Sequence, residues 1–188
     1  MQIVQVGLAG VGREVPLEGP AGGARAPGVL ELTAEHASVR TALIGREPLR
    51  LAVPREHRLA GPERVRLADA AAEPFIGLRP ASALRRLTDD LCAAAGFRPE
   101  VIFEGDDLSN VRGFVAAGLG VAVVPAPRAG SPEAAAGPVV YREVVDPGAA
   151  REIWLTWPAE RRLLPAAELF RRHVIRRSAA GRLPAAVE

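Results

Sequence analysis

The chain contains no lysine: all 24 of its cationic side chains are arginine, and 22 carboxylates hold the formal charge to +2. A nucleic-acid surface needs a dense excess of positive charge, and this balance does not supply one. With alanine, glycine and proline abundant, arginine in place of lysine fits codon usage in a G+C-rich genome better than any binding role. One cysteine, Cys92, excludes an internal disulfide and cannot build a zinc site without several other ligands, so a cytoplasmic chain is expected. On an apolar helix face Cys92 reads as a small buried hydrophobe and not as a reactive thiol. No apolar run approaches the ~20 residues that span a bilayer. The first residues also lack a basic segment followed by an apolar core, so neither export nor a membrane partner is signalled.

Catalytic constellations are equally scarce. His36, His57 and His173 are far apart and on unlike elements; His57, in an arginine-rich loop, and His173, on a helix edge, both read as structural or surface. No Ser/His/Asp arrangement, metal-ligand spacing or phosphate-cradling loop emerges, so no enzyme, cofactor or metal is expected. The pairs Asp106 with Asp107 and Asp89 with Asp90 read as caps and helix-surface charges.

What is present is a globular pattern, 48% apolar over 188 residues. Residues 1–38 are punctuated by glycine and proline too often for a long helix and read as irregular. Within them QIVQVGLAGVG (Gln2 to Gly12) imitates a dinucleotide fingerprint. Pro16 and the glycines after it prevent the helix such a turn must open, and the third glycine is missing.

From Val39 the pattern is regular. Strands are expected at Pro48–Val53, Pro74–Leu78, Val101–Phe103, Val121–Val124, Val139–Val145 and Glu152–Trp157, with a short helical stretch at Leu67–Ala72. Pro80 and Ser82 signal a helix whose face is Leu84, Leu87, Leu91, Cys92 and Ala95. Arg85, Arg86, Asp89 and Asp90 fall on its other side, and Gly96 stops it. A last helix, begun at Pro165, places Ala166, Leu169, Phe170, His173 and Val174 on one face, flanked by arginine pairs. Trp154 and Trp157 share a strand with Thr156, of which one face reads as core.

The richest stretch is EGDDLSNVRGFVAAGLGVAVVP, Glu104 to Pro125. Asp106 or Asp107 can cap a helix carrying Val111, Phe114 and Val115; Gly118 can end it, and a short buried strand follows. A strand-to-helix turn of this kind points free N–H groups toward the carboxyl edge of a sheet, where small anions bind. Alternating strands and helices imply an α/β fold with a largely parallel sheet.

The blocks EPLRLAVPREHRLAG (Glu47 to Gly61), VRLADAAAEPFIGL (Val65 to Leu78), ALRRLTDDLCAAAGFRPEVIFEGDDLSNVRGFVAAGLGVAVVP (Ala83 to Pro125) and REIWLTWP (Arg151 to Pro158) together resemble the effector-binding domain of LysR-type transcriptional regulators. The resemblance covers roughly Val39 to Arg177. It implies a type II periplasmic-binding-protein-like α/β fold of two lobes, closing on a small-molecule effector, with crossings near Val53 to Leu59 and near Asp146 to Ile153.

On this basis 58–146 is the second lobe, 39–57 with 147–177 a remnant of an incomplete first lobe, and 178–188 a tail. Carried over by position, the loop Arg79 to Ser82 and the helix start Asp107 to Asn110 would line the effector cleft. That makes Arg79, Ser82, Asp107, Ser109 and Asn110 the candidate ligand-binding residues. Arg79 offers paired donors to a carboxylate or is simply solvated; Ser82, Ser109 and Asn110 either cap helices or meet ligand. The winged helix-turn-helix of a full regulator has no counterpart, so direct DNA binding is not expected. Two functions stay open: an effector-sensing module for a small, anionic metabolite, or a shortened interaction remnant that binds no ligand. A homo-oligomer or pairing with a related regulator is expected in either case, because a sheet deprived of neighbours exposes apolar surface.

Overall fold

The computed structural model describes residues 5–10, 39–127, 137–159 and 162–180. The chain forms strands β1 (Gln5–Gly10), β2 (Val39–Pro54), β3 (Arg64–Val65), β4 (Pro74–Leu78), β5 (Glu100–Gly105), β6 (Ala122–Pro125), β7 (Val139–Val144) and β8 (Ala150–Pro158). Its helices are α1 (Ala83–Ala94), α2 (Leu108–Ala116) and α3 (Pro165–Ala179), with single 3-10 turns at Arg58–Ala60 and Leu67–Ala70. Two compact units result, Met1–Glu47 with Glu152–Glu188, and Pro48–Arg151. Strands β2 and β8 each run from one unit into the other.

In the first unit β1, β8 and β2 are neighbours in that order. The strand at Gln5–Gly10 corrects the irregular reading of 1–38 over those six residues; the rest of that segment, His36 included, lies outside the described residues. Along β8 alternate residues point to opposite faces, so Ile153, Leu155 and Trp157 join Ile44 of β2 and Val174 of α3 in one apolar cluster. Trp154 lies on the other face, where its indole N–H donates to Glu152 at 3.2 Å. The two tryptophans, three residues apart, therefore serve different surfaces.

Helix α3 buries little of the face that carries its apolar residues. Val174 is buried, with Ala167, Arg171, Ile175 and Ser178 half-buried beside it, while Ala166, Leu169, Phe170 and His173 are exposed. The helix is rotated about its axis relative to the apolar pattern because the Arg171 guanidinium lies over the Trp157 ring, 4.9 Å from its centroid. The Ser178 hydroxyl fixes the same rotation by donating to the Ile44 carbonyl at 2.7 Å.

The second unit holds the larger core. Helix α1 buries Leu84, Leu87, Thr88, Leu91 and Cys92, the three- and four-residue spacing that its sequence predicts, and α2 buries Leu108, Val111 and Val115. Between them lie Phe75, Ile76 and the apolar run Val121 to Val124, with Leu49, Leu51 and Val53 of β2. Each such side chain removed from water contributes roughly 1.5–3 kcal/mol. Gly96 (φ 91°) ends the turn after α1 and Gly118 (φ 78°) the turn after α2, in the left-handed conformation that side chains resist.

The expected, largely parallel sheet is instead mixed. Strand β2 is antiparallel to β6, with Leu51 opposite Val123, and to β7, with Ala52 opposite Tyr141. Parallel pairing joins β3 with β7 and β4 with β5, and a parallel bridge links Phe75 to Val121. Alternation along a strand reports burial and carries no information on direction, so this distinction was not readable from periodicity.

Candidate functional site

The site is built on the β4–β5 pair. These parallel strands end together, Leu78 opposite Gly105, and each runs through a short loop into a helix: β4 into α1 at Ser82, β5 into α2 at Asp107. Two loops that each open a helix are thereby placed at the carboxyl ends of adjacent strands, where first-turn N–H groups lack intrahelical partners and carry partial positive charge.

The tightness of the second turn is set by glycine. A Cβ on Gly105 would stand 2.9 Å from Val111 Cγ2 and 3.1 Å from the Val111 backbone nitrogen, inside contact distance. Gly120 plays the same part on the other side of β4, where a Cβ would lie 2.5 Å from the Pro74 carbonyl oxygen. The pairing of Val121 with Pro74 and Ile76, at 2.9 and 2.8 Å, depends on that approach.

Of the two acids able to cap α2, Asp107 does so, its Oδ1 accepting from the Asn110 backbone N–H at 2.8 Å. Asp106 instead forms an ion pair across the gap between the loops with Arg79, both side chains largely exposed. Ser82 occupies the N-cap position of α1, but its hydroxyl makes no cap hydrogen bond to the helix. Its backbone N–H donates to the Arg79 carbonyl at 2.9 Å, closing the loop. Ser109 and Asn110 are exposed in the first turn of α2. The structure thus joins Arg79 to the Asp106 loop, and Asp107 to Asn110 through a cap.

Sequence periodicity missed Arg85 and Glu104. Arg85, assigned to the solvent side of α1, is largely buried; it donates to the Leu78 carbonyl at 3.0 Å, to Glu104 at 2.9 Å, and to both oxygens of Asp89. Burial works against its charge, but the bonds to Glu104 and Asp89 outweigh it and hold the guanidinium pKa above its ordinary value. A signal did exist, since a cation in the first turn of a helix opposes the helix dipole and calls for nearby carboxylates.

His57 takes the structural one of its two readings. Its Nδ1 accepts from the Leu59 N–H at 3.2 Å, capping a 3-10 turn, and Nε2 lies 3.1 Å from Glu73, which Arg58 also holds at 2.6 Å. Glu73 resists ionisation through burial, but hydrogen bonds from His57 and Arg58 prevail and lower its pKa. This is a structural cluster at the end of β2. Among the described residues no helix is long and apolar enough to cross a membrane, and no group of three or more His, Cys, Asp or Glu could hold a metal ion.

Comparison with known proteins accounts for the architecture. Residues 28–179 match the LysR substrate binding domain family, beginning before Val39, where the sequence blocks first suggested it. The HTH-type transcriptional regulator YybE of Bacillus subtilis (strain 168), itself uncharacterized, is 36% identical over 129 residues, or 69% of this chain and 43% of that relative. The chain thus spans less than half of that relative's length. The effector binding domain of QuiR in complex with shikimate superposes with a TM-score of 0.71 at 21% identity, covering 80% of this chain and 70% of the other. The Synechocystis PCC6803 CcmR regulatory domain in complex with 2-PG gives 0.67 at 16% identity, covering 87% and 72%. These two likenesses establish the fold, that of type II periplasmic-binding-protein-like α/β domains. With four-fifths of its length matched, the chain belongs to the LysR substrate-binding domain family.

Proposed function

We propose that this chain is the effector-sensing part of a LysR-type transcriptional regulator, and that a small anionic metabolite binds at Arg79, Ser82, Asp107, Ser109 and Asn110. The observation that carries the proposal is the register of Leu78 against Gly105, which sets two helix-opening loops side by side. The helix starts offer backbone donors and Arg79 a guanidinium, which suit a carboxylate or phosphate. Asp106 already occupies Arg79. An anion therefore exchanges places with that carboxylate, and Asp106→Asn should strengthen binding while Arg79→Ala weakens it. On this reading the protein binds its effector without transforming it and works in the cytoplasm.

Shikimate and 2-PG, bound by the QuiR and CcmR domains, are suitable first probes. Thermal unfolding of the purified chain against these and other small acids tests the reading, because a ligand that binds only the folded state raises the midpoint. A shift lost in Arg79→Ala supports it; no shift with any acid at millimolar concentration overturns it.

One observation favours the alternative, an interaction module that binds no ligand. Leu169 and Phe170 on α3, and Ile102 and Phe103 on β5, are exposed large hydrophobics. That reading predicts a concentration-dependent oligomer by light scattering, disrupted by Leu169→Glu, together with insensitivity to every acid.

A further inference from the structure

Arg85 is an unusual arginine: its side chain is 15% exposed and its fork reaches three elements at once. One nitrogen, Nη1, donates both to the carbonyl of Leu78, the last residue of β4, and to Glu104, the last but one of β5, while Nε is held by Asp89 one turn along α1. Gly77 makes room for it, since a Cβ there would stand 3.3 Å from Arg85 Cδ and Nη1. Helix stability does not explain the residue. A cation in a first turn is disfavoured by the dipole by about 0.3–1 kcal/mol, and burying one side chain that carries charge adds to that cost.

We infer that Arg85 is the positioning residue of the two-loop edge: by tying the ends of β4 and β5 to the first turn of α1, it sets the spacing between the loop at Arg79 and the loop at Asp106. The inference rests on the effector-site reading for what the loops bind, though not for how they are held. Along β5 the arrangement is a ladder. Glu104, itself 44% exposed, forms the less exposed rung with the largely buried Arg85, and two residues on, Asp106 forms the more exposed rung with Arg79. The outer rung is open to exchange with an anion because the inner one keeps the loops in place. Lysine cannot replace Arg85, because an ammonium lacks the planar fork that reaches a carbonyl and two carboxylates together.

The test is NMR of the 15N-labelled full chain, comparing wild type with Arg85→Met and Arg85→Lys without ligand. Removing the guanidinium should speed exchange of the Ser82 and Asn110 amides, which close the two loops, by about tenfold or more, leaving the Ile76 and Val121 amides between β4 and β6 unchanged. Arg85→Lys should recover only part of the protection. Unchanged loop amides, or an equal loss at all four positions, would overturn the inference. If Arg85→Met fails to fold, Glu104→Gln, which removes the β5 rung alone, is read by the same four amides. In a second arm, affinity for shikimate or 2-PG should fall about tenfold in Arg85→Lys if the loops hold the ligand. Failure of the wild type to bind either acid counts against the effector reading only, because the exchange arm is read without ligand.

Discussion

Gly105 and Val111 are packed so closely that a single methyl group on the glycine would intrude to 2.9 Å from the valine side chain and 3.1 Å from its backbone nitrogen. Gly105→Ala should therefore destabilise the chain by about 1–3 kcal/mol, the usual cost of overpacking, and shift the start of α2. Gly120→Ala should cost more, since the obstacle is the Pro74 carbonyl, which cannot rotate away. Gly113, inside α2 with nothing within 4 Å of its would-be Cβ, predicts the opposite sign. Alanine there should stabilise by about 0.5–1 kcal/mol through helix propensity. Urea unfolding of the three variants checks the order.

The two helix starts should respond differently to loss of their cap residues. Asp107→Ala removes a side-chain acceptor for the Asn110 N–H and should cost about 1 kcal/mol. Ser82→Ala should leave stability nearly unchanged, because the Ser82 hydroxyl makes no cap bond. If ligand reaches this edge, Ser82→Ala instead lowers the affinity of an acid that shifts the wild-type midpoint. Denaturation with and without that acid separates the two effects.

Several elements were legible because local signals agreed with packing. Helix α1 has a polar residue at its start, a three- and four-residue apolar spacing and a glycine at its end, and it forms where those signals place it. Helix α3 has equally good spacing at Leu169, Phe170 and Val174, but Trp157 captures Arg171 and turns two of those residues outward. A tertiary partner distant in sequence decided the rotation. The positions of Arg79 and Asp107 at the strand ends were available from family resemblance, whereas the bond from Arg79 to Asp106 required coordinates. Arg85 was hidden because periodicity assigns a side chain to a face by its Cα position, and a long arginine can curl back to a strand carbonyl.

Glu73 gives a test at acid pH. Its folded-state pKa lies below its ordinary value, so the folded chain releases this proton more readily than the unfolded chain. The associated stability is complete above the ordinary carboxylate range and is lost as the pH falls through the folded value. Glu73→Gln should be less stable than wild type by about 1–2 kcal/mol at neutral pH, the scale of a charged hydrogen bond. That difference should shrink when the same urea titrations are run near pH 3, and a gap independent of pH would show that the carboxylate's charge is not what holds His57 and Arg58.

Cys92 gives the complementary test at alkaline pH, in a chain suited to it because there are no lysines to titrate. Burial, followed by the nearby charges of Asp89 and Asp146, pushes its thiol up to about 12, whereas the ordinary value is 9.0. Unfolding exposes the thiol, so above pH 9 the unfolded chain loses a proton that the folded chain retains. A raised folded pKa therefore means stability that is full below the ordinary value and declines as the pH rises toward 12, by about 1.4 kcal/mol per pH unit. Cys92→Ala should be less stable than wild type at pH 7 by about 1 kcal/mol, because the side chain is fully buried and its loss leaves a small cavity. Lacking the thiol, it escapes this alkaline loss, so the two stability curves should converge and cross near pH 10. The sole tyrosine, Tyr141, is common to both proteins and drops out of the difference. Parallel curves from pH 7 to 11 would mean that the folded chain admits water to Cys92 and lets it ionise in place, contradicting the packing of α1 against the core.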